Sequence, residues 1–172
     1  NNSFIHRTES DSCYNKVIGG ESIIIHGKAG RGKSGCVFEL LEHLKEDNII
    51  HLALKLDRRI PEHTSEKYGQ SLGLPTSPVY CLDAVSKCRE AVLVLDQLDA
   101  VRWTNNHPRT ALEVCKEMIQ EVECVNKYRD KKLILVFVCR TFDFKNDSGI
   151  KGLFLKPEDK NDDLTWNEII VF

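Results

Sequence analysis

An eight-residue segment, GKAGRGKS at positions 27–34, constrains this chain more strongly than any other part of its sequence. The segment fits the pattern G-x-x-x-x-G-K-[ST] at every fixed position. An apolar run at 22–25 precedes it, and apolar residues with helical spacing follow it, namely Val37, Leu40, Leu41 and Leu44. This order predicts a strand, a glycine-rich turn and a helix over about 33–45.

A loop of this kind binds phosphate. Glycine has no Cβ, so consecutive backbone N–H groups can turn inward around an anion. The start of the following helix adds unpaired N–H donors and the positive end of the helix dipole. We expect Lys33 to reach the β- and γ-phosphates of a nucleoside triphosphate and the Ser34 hydroxyl to ligate Mg²⁺. The residues predicted to bind the nucleotide here are Gly27, Gly30, Arg31, Gly32, Lys33, Ser34 and Gly35.

Length and composition favour one globular domain. The 172 residues are 41% hydrophobic, enough for a sizeable core. The net charge is -2, so the chain has no overall cationic field that would hold a nucleic acid. No apolar run approaches the length needed to cross a bilayer. Because the chain begins with Asn1 rather than methionine, we expect it to be a fragment of a larger multidomain protein.

The cysteines predict a reducing compartment. There are seven, an odd number with no C-x-x-C pair. Cys36, Cys115 and Cys139 fall in predicted helices or strands, where a thiol packs as a small apolar group. The histidines make no ligand spacing with the cysteines, so we expect no zinc site. These features predict free thiols and a cytoplasmic location.

Short apolar runs alternate with helical patterns along the chain, which predicts an α/β fold with a parallel sheet covered by helices on both faces. The predicted strands lie at 22–25, 49–56, 91–95, 133–138 and 166–172. The predicted helices lie at about 33–45, 62–72, 82–90 and 109–128. A stretch rich in glycine and aspartate, 143–152, is predicted to be a loop.

An acidic residue follows the apolar strand at 91–95. A carboxylate at the carboxyl end of a parallel strand faces the same crevice as the phosphate loop, so Asp96 is the predicted second ligand of Mg²⁺, through a water shared with Ser34. Asp99 follows three residues later and either positions and activates the attacking water or caps the next helix. Gln97 is a weaker candidate, because an amide can orient a water but cannot take its proton.

Arg140 follows the strand at 133–138. Side chains just past strand ends reach the ligand crevice of an open α/β sheet. A guanidinium there would interact with the γ-phosphate and could report its loss. The alternative for Arg140 is an ion pair with a neighbouring carboxylate.

The glycine-rich loop, the acidic residue Asp96 and the arginine Arg140 occur together in a known family. In these three features the chain resembles the STAND group of P-loop ATPases, the signal-transduction ATPases with numerous domains. The most specific segments are AVLVLDQLDAVRWT at 91–104 and VFVCRTFDF at 136–144. The resemblance implies a three-layer P-loop NTPase sandwich: a parallel five-stranded sheet with a sensor strand between the two phosphate-motif strands. It also implies Asp96 as the acid of the second motif, Arg140 as the sensor, and a nucleotide contact from Arg7.

The chain departs from this family at two positions near the second motif. Many relatives have glutamate where this chain has Gln97, and others have a further acid where it has Ala100. The family's lid is also not recognisable after Phe172. The resemblance therefore implies slow hydrolysis that depends on Asp99.

The function that the resemblance implies is an ATP-driven switch that controls a sensor or effector in bacterial anti-phage defence or signalling. ATP and ADP, partner domains of the parent protein and a nucleotide-dependent homo-oligomer are the expected partners. A small-molecule or nucleotide kinase is an alternative, with Arg58 and Arg59 near an acceptor. A second alternative is a nucleotide-stabilised interaction module without turnover, whose partner surfaces carry Trp103 or Trp166. A GTPase is disfavoured, because the segment NKYRD at 126–130 places its acid one residue late for a guanine-reading motif.

Overall fold

The computed structural model describes residues 8–103, 108–155 and 166–172. Five strands lie in these ranges: β1 (Ser22–Gly27), β2 (Ile50–Lys55), β3 (Ala91–Asp96), β4 (Leu133–Arg140) and β5 (Trp166–Val171). The helices are α1 (Thr8–Ile18), α2 (Lys33–Glu46), α3 (Ser65–Ser71), α4 (Pro78–Ser86), α5 (Pro108–Asn126), α6 (Thr141–Asn146) and α7 (Ser148–Phe154). A 3-10 helix, Leu98–Trp103, follows β3. Within the described ranges, no helix combines the length and the apolar character that a membrane span requires.

The strands form one sheet in the order β2-β3-β4-β1-β5, and every neighbouring pair is parallel. β4 therefore lies between β1, which leads into the glycine-rich loop, and β3, which ends in Asp96. This is the predicted arrangement of a sensor strand between two motif strands, and it is confirmed.

Helices cover both faces of the sheet, so the central strands are buried on both sides. On one face, Ile23 and Ile25 pack with the buried residues of α1 and α2. On the other, Ile24 and Phe137 pack in a larger core that includes α3, α4, α5 and α7. Because both faces of β1, β3 and β4 meet apolar side chains, these strands read as continuous apolar runs rather than as alternating patterns.

The prediction of a loop at 143–152 is wrong, because α6 and α7 occupy most of this segment. The carboxylate of Asp147 accepts the backbone N–H of Ile150 at 2.7 Å and so caps the start of α7. Ile150 and Leu153 are buried in the larger core. Aspartate, serine and glycine favour both loops and helix caps, and here packing of the two apolar side chains selects the helix.

Two other helices differ from prediction. α1 was not predicted, because its buried stripe is narrow: Cys13 and Val17 are its buried apolar residues, and most of the rest of the segment is polar. The helix predicted at 82–90 instead begins at Pro78 and ends at Ser86. The hydroxyl of Ser77 accepts the backbone N–H of Tyr80 at 3.2 Å, and proline suits the first helical position.

A pair of glycine substitutions tests this description of the helices. A Cβ at Gly69 in α3 would lie 1.9 Å from the carbonyl oxygen of Thr76, whereas a Cβ at Gly152 in α7 meets nothing within 4 Å. We expect Gly69→Ala to lower the free energy of unfolding by about 2–3 kcal/mol, a cost typical of overpacking. We expect Gly152→Ala to raise it by about 0.5–1 kcal/mol, because alanine favours a helix. Urea unfolding measures both, and a clear loss of stability in Gly152→Ala would contradict the assignment of α7.

Candidate phosphate-binding site

Three sequence motifs meet at the carboxyl edge of the sheet. Gly27 ends β1 and is paired in register with Arg140, which ends β4. Asp96 ends β3 on the other side of β4. Because the strands are parallel, their carboxyl ends open into one crevice, which is where ligands bind in open α/β sheets. The sheet therefore brings together the glycine-rich loop, Asp96 and Arg140.

The loop after β1 has a backbone that requires glycine. A Cβ at Gly27 would lie 2.5 Å from the carbonyl oxygen of Val171 on β5. Gly30 and Gly32 have φ of +75° and +88°, in the left-handed region. Lys28, Gly30 and Arg31 are exposed, so the outer part of the loop is open to solvent.

The loop ends at the amino terminus of α2, a helix of 14 residues. Gly32 is the N-cap residue and has no side chain with which to cap the helix. The first backbone N–H groups and the positive end of the helix dipole therefore face the loop. Ser34 is exposed in this first turn, and a Cβ at Gly35 would meet nothing within 4 Å. These features suit an anion with several oxygen atoms.

Lys33 folds back over the loop. Its Nζ donates to the carbonyl oxygens of Gly27 at 2.9 Å and Lys28 at 3.0 Å. Burial lowers the pKa of Lys33 below its usual value, and the nearby carboxylate of Asp99 partly opposes that shift. The ammonium group is thus partly desolvated at the loop, a situation that an anionic ligand would relieve.

Asp96 is a buried carboxyl at the end of β3, with 6% of the residue exposed. Its Oδ1 accepts the backbone N–H of Gln97 at 2.9 Å, and its carbonyl oxygen accepts the N–H of Leu56 at 2.9 Å. Burial raises the pKa of Asp96, and the bond from Gln97 partly counters this. Gln97 has φ of +65°, an uncommon conformation for a residue with a side chain. The end of β3 is therefore held in a defined and strained geometry.

The donor set at this edge fits Mg²⁺. The Ser34 hydroxyl and the Asp96 carboxylate are hard oxygen ligands, and Mg²⁺ is usually held by one or two protein oxygens together with waters and substrate phosphates. In the described part of the chain, no cluster of three or more histidine, cysteine, aspartate or glutamate side chains could hold a metal. Ser34 and Asp96 suit a cation whose other ligands are waters and phosphate oxygens.

The two residues predicted to be catalytic contact each other. Oδ1 of Asp99 accepts the backbone N–H of Arg140 at 3.2 Å, and Oδ2 lies 3.0 Å from Nε of Arg140. Asp99 is 2% exposed, whereas 51% of the Arg140 side chain is exposed. The structure therefore contains the ion pair considered as the alternative for Arg140. A role in sensing phosphate, and a role of Asp99 in activating water, remain predictions.

Three further residues complete the comparison with the sequence analysis. Arg7 lies outside the described residues, as does the side chain of Trp103. Trp166 packs against Phe137 and Phe154, with ring centroids 5.6 Å and 4.9 Å apart. Trp166 thus packs against the core, and this weakens the hypothesis that it forms a surface for a partner domain.

His26 was not predicted to have a role. It is fully buried, one residue before the glycine-rich loop, and contacts Thr141 and Glu168. The sequence contained one signal for His26: it is a polar residue near the end of an apolar strand, directly before the glycine-rich motif. Its partners could not be known from the sequence, because they depend on which strands flank β1.

No protein-family model and no curated protein matches this sequence. Among solved structures, the fold is similar to that of the ORC2 protein of Aeropyrum pernix, determined as ADPNP–ADP complexes. The match has a TM-score of 0.52 and 12% sequence identity, and covers 95% of this chain and 45% of that protein. The chain thus spans less than half the length of this neighbour. At this identity the likeness establishes the fold alone, which is a P-loop NTPase-like α/β fold.

Replacing Asp96 should stabilise the empty protein. The raised pKa means that folding favours the neutral carboxyl, so ionisation lowers stability as the pH rises from 3.8 through the folded pKa. Asp96→Asn keeps an acceptor for Gln97 without the charge. We expect a gain of about 1 kcal/mol at pH 7, because the substitution removes a charge that burial disfavours.

Thermal unfolding in EDTA, without nucleotide, measures this change. Asp130→Asn is the matched control, because Asp130 is an exposed carboxylate. An Asp96→Asn protein less stable than wild type at pH 7 would contradict the described burial of this group.

Proposed function

We propose that this chain binds ATP with Mg²⁺ at the carboxyl edge of its sheet and acts as a slowly hydrolysing nucleotide switch of the STAND type. The observation that carries the proposal is the meeting of Lys33, Asp96, Asp99 and Arg140 at one edge of the sheet. The charges of the latter three all act on the pKa of Lys33, although their motifs lie far apart in sequence. The fold neighbour solved as ADPNP–ADP complexes supports nucleotide binding.

The binding step follows from the loop. The backbone N–H groups of the loop and of the first turn of α2 would bind phosphate oxygens, and the ammonium of Lys33 would exchange its two carbonyl partners for the phosphates. Ser34 and Asp96 would hold Mg²⁺. When bound, Mg²⁺ would neutralise part of the phosphate charge.

Arg140 is the proposed sensor of the γ-phosphate. Its contact with Asp99 uses Nε and the backbone N–H, and does not require the two Nη groups of the exposed guanidinium. The buried carboxylate can therefore hold the arginine in place while the guanidinium binds phosphate. Conversion of ATP to ADP would remove this contact and change the relative stability of two conformations.

Slow turnover follows from the same contacts. Asp99 is the predicted water-positioning group, but its two oxygens already bind Arg140. Gln97, which takes the place of a glutamate in many members of the resembled family, cannot accept a proton. We therefore propose a long-lived ATP state that controls partner domains of a larger protein, in defence or signalling, and that favours a homo-oligomer.

The first test is calorimetry with Mg²⁺-ATP. We expect wild type to bind and Lys33→Ala to lose about 100-fold in affinity, equivalent to about 3 kcal/mol, since a charge-assisted hydrogen bond to phosphate is lost. Lys28→Ala is the matched control, because Lys28 lies in the same loop with an exposed side chain. Equal affinities of wild type and Lys33→Ala for Mg²⁺-ATP would end the proposal.

The second test separates ATP from ADP. We expect Arg140→Ala to reduce the preference for ATP over ADP by about 10-fold or more, the effect of losing a charged hydrogen bond made to the γ-phosphate. Asp99→Asn should reduce the same preference, because it weakens the hold on Arg140. Arg58→Ala, in the exposed turn after β2, should leave it unchanged. An unaltered ratio of dissociation constants in Arg140→Ala would exclude the sensor role.

The alternatives are separated by the fate of the γ-phosphate. A switch releases phosphate slowly to water. A kinase transfers it to an added acceptor, and an interaction module keeps ATP intact. Following radiolabelled γ-phosphate over long incubation distinguishes the three.

A further inference from the structure

His26 occupies a buried position between the glycine-rich loop and the sensor segment. It is the second-last residue of β1 and is 0% exposed. Its ring stacks on Phe144 of α6, with centroids 4.8 Å apart and planes at 29°. The histidine therefore lies at the carboxyl edge of the sheet, inside the protein and next to Gly27.

Both ring nitrogens of His26 have partners. Nδ1 lies 3.1 Å from the hydroxyl of Thr141, and Nε2 lies 3.3 Å from a carboxylate oxygen of Glu168. A neutral ring with its proton on Nε2 satisfies both, since Nε2–H donates to Glu168 and Nδ1 accepts the Thr141 hydroxyl. Burial lowers the pKa of His26, Glu168 partly opposes this, and Lys145 and Lys33 lower it further. The ring is thus neutral at pH 7 and suited to this pattern.

These partners lie on either side of β1, one directly after β4 and the other on β5. Thr141 directly follows Arg140 and is the first residue of α6, for which Arg140 is the N-cap residue. Glu168 lies on β5, the strand whose Val171 carbonyl restricts residue 27 to glycine. One buried side chain therefore joins the base of the loop to the residue that follows β4 and to the middle of β5.

Arg140 is held from two directions. On the β3 side, Asp99 binds its backbone N–H and Nε. On the β1 side, His26 binds the hydroxyl of the next residue, Thr141. Two partly buried hydrogen bonds, one from Arg140 and one from Thr141, hold the backbone from which the guanidinium extends. Such positioning by supporting groups determines how well a site discriminates ligands.

We propose that His26 is a positioning residue that couples the glycine-rich loop to Arg140 and thereby sets the preference of the site for ATP over ADP. This inference rests on the proposed function, because it takes Arg140 as the sensor of the γ-phosphate. Arg140 distinguishes ATP from ADP more strongly while Thr141 is hydrogen-bonded to His26, the residue that precedes the loop.

The test measures dissociation constants for Mg²⁺-ATP and Mg²⁺-ADP in variants of the pair. His26→Phe keeps a ring that stacks on Phe144 but removes both hydrogen bonds. Thr141→Val removes the hydroxyl with little change of shape. We expect each to lower the ATP-over-ADP preference by about fivefold, because each removes the hydrogen bond between His26 and Thr141, with the dissociation constant for ADP changed less than twofold.

A double variant of His26 and Thr141 and two control variants complete the test. If the two groups act through one bond, the double variant should lower the preference no more than either single variant. Thr141→Ser should keep the wild-type preference, because it retains the hydroxyl. His51→Phe, on the edge strand β2, should also keep it.

The results for Arg140, His26 and Thr141 separate a failure of the sensor from a failure of the inference about His26. If Arg140→Ala leaves the ATP-over-ADP preference unchanged, the proposed sensor itself fails. If Arg140→Ala abolishes the preference but His26→Phe and Thr141→Val retain it, with or without a lower melting temperature, then His26 is only structural and the inference is wrong. An equal loss of affinity for ATP and ADP in Thr141→Val would also overturn it. If His26→Phe does not fold, Thr141→Val and Thr141→Ser decide the question.

Discussion

The parallel pairing of β4 between β1 and β3 is the constraint on which the rest of the structure depends. It places Gly27 in register with Arg140 and brings Asp96 and Asp99 to the neighbouring strand end. These groups are far apart in the chain, and their positions follow from burying apolar strands on both faces. The same burial that stabilises the sheet therefore assembles the site.

Two charged groups at this edge, Asp96 and Lys33, are partly desolvated. Burial raises the pKa of Asp96 and lowers that of Lys33, so folding disfavours the charged form of each. A cation beside the carboxyl and an anion beside the ammonium would stabilise those charged forms. Mg²⁺ with a polyphosphate supplies both at once. The electrostatic cost of burying these two groups supports the proposal that this ligand binds here.

Much of the fold was predictable because its signals are local. The strand, loop and helix around the GKAGRGKS segment require neighbouring residues only, and the buried strands appear as apolar runs. The loop prediction at 143–152 failed, because Asp147 can begin a helix as readily as a turn and packing of Ile150 decided between them. α1 escaped prediction because so few of its residues are apolar.

The site was predictable in its components and not in its contacts. Lys33, Ser34 and Asp96 belong to motifs with fixed spacing. The bond between Asp99 and Arg140 joins residues 41 positions apart, and the bond between His26 and Glu168 joins residues 142 positions apart. Neither pair could be inferred from spacing, because each depends on strand order and on the side chain's direction from the sheet.

The most direct measurement is a crystal structure of this chain with Mg²⁺ and a non-hydrolysable ATP analogue. The account predicts that Nζ of Lys33 leaves the carbonyl oxygens of Gly27 and Lys28 and binds the phosphates, with the cation between Ser34 and Asp96. A nucleotide bound elsewhere, or phosphates in the loop while Lys33 keeps its carbonyl partners, would contradict it.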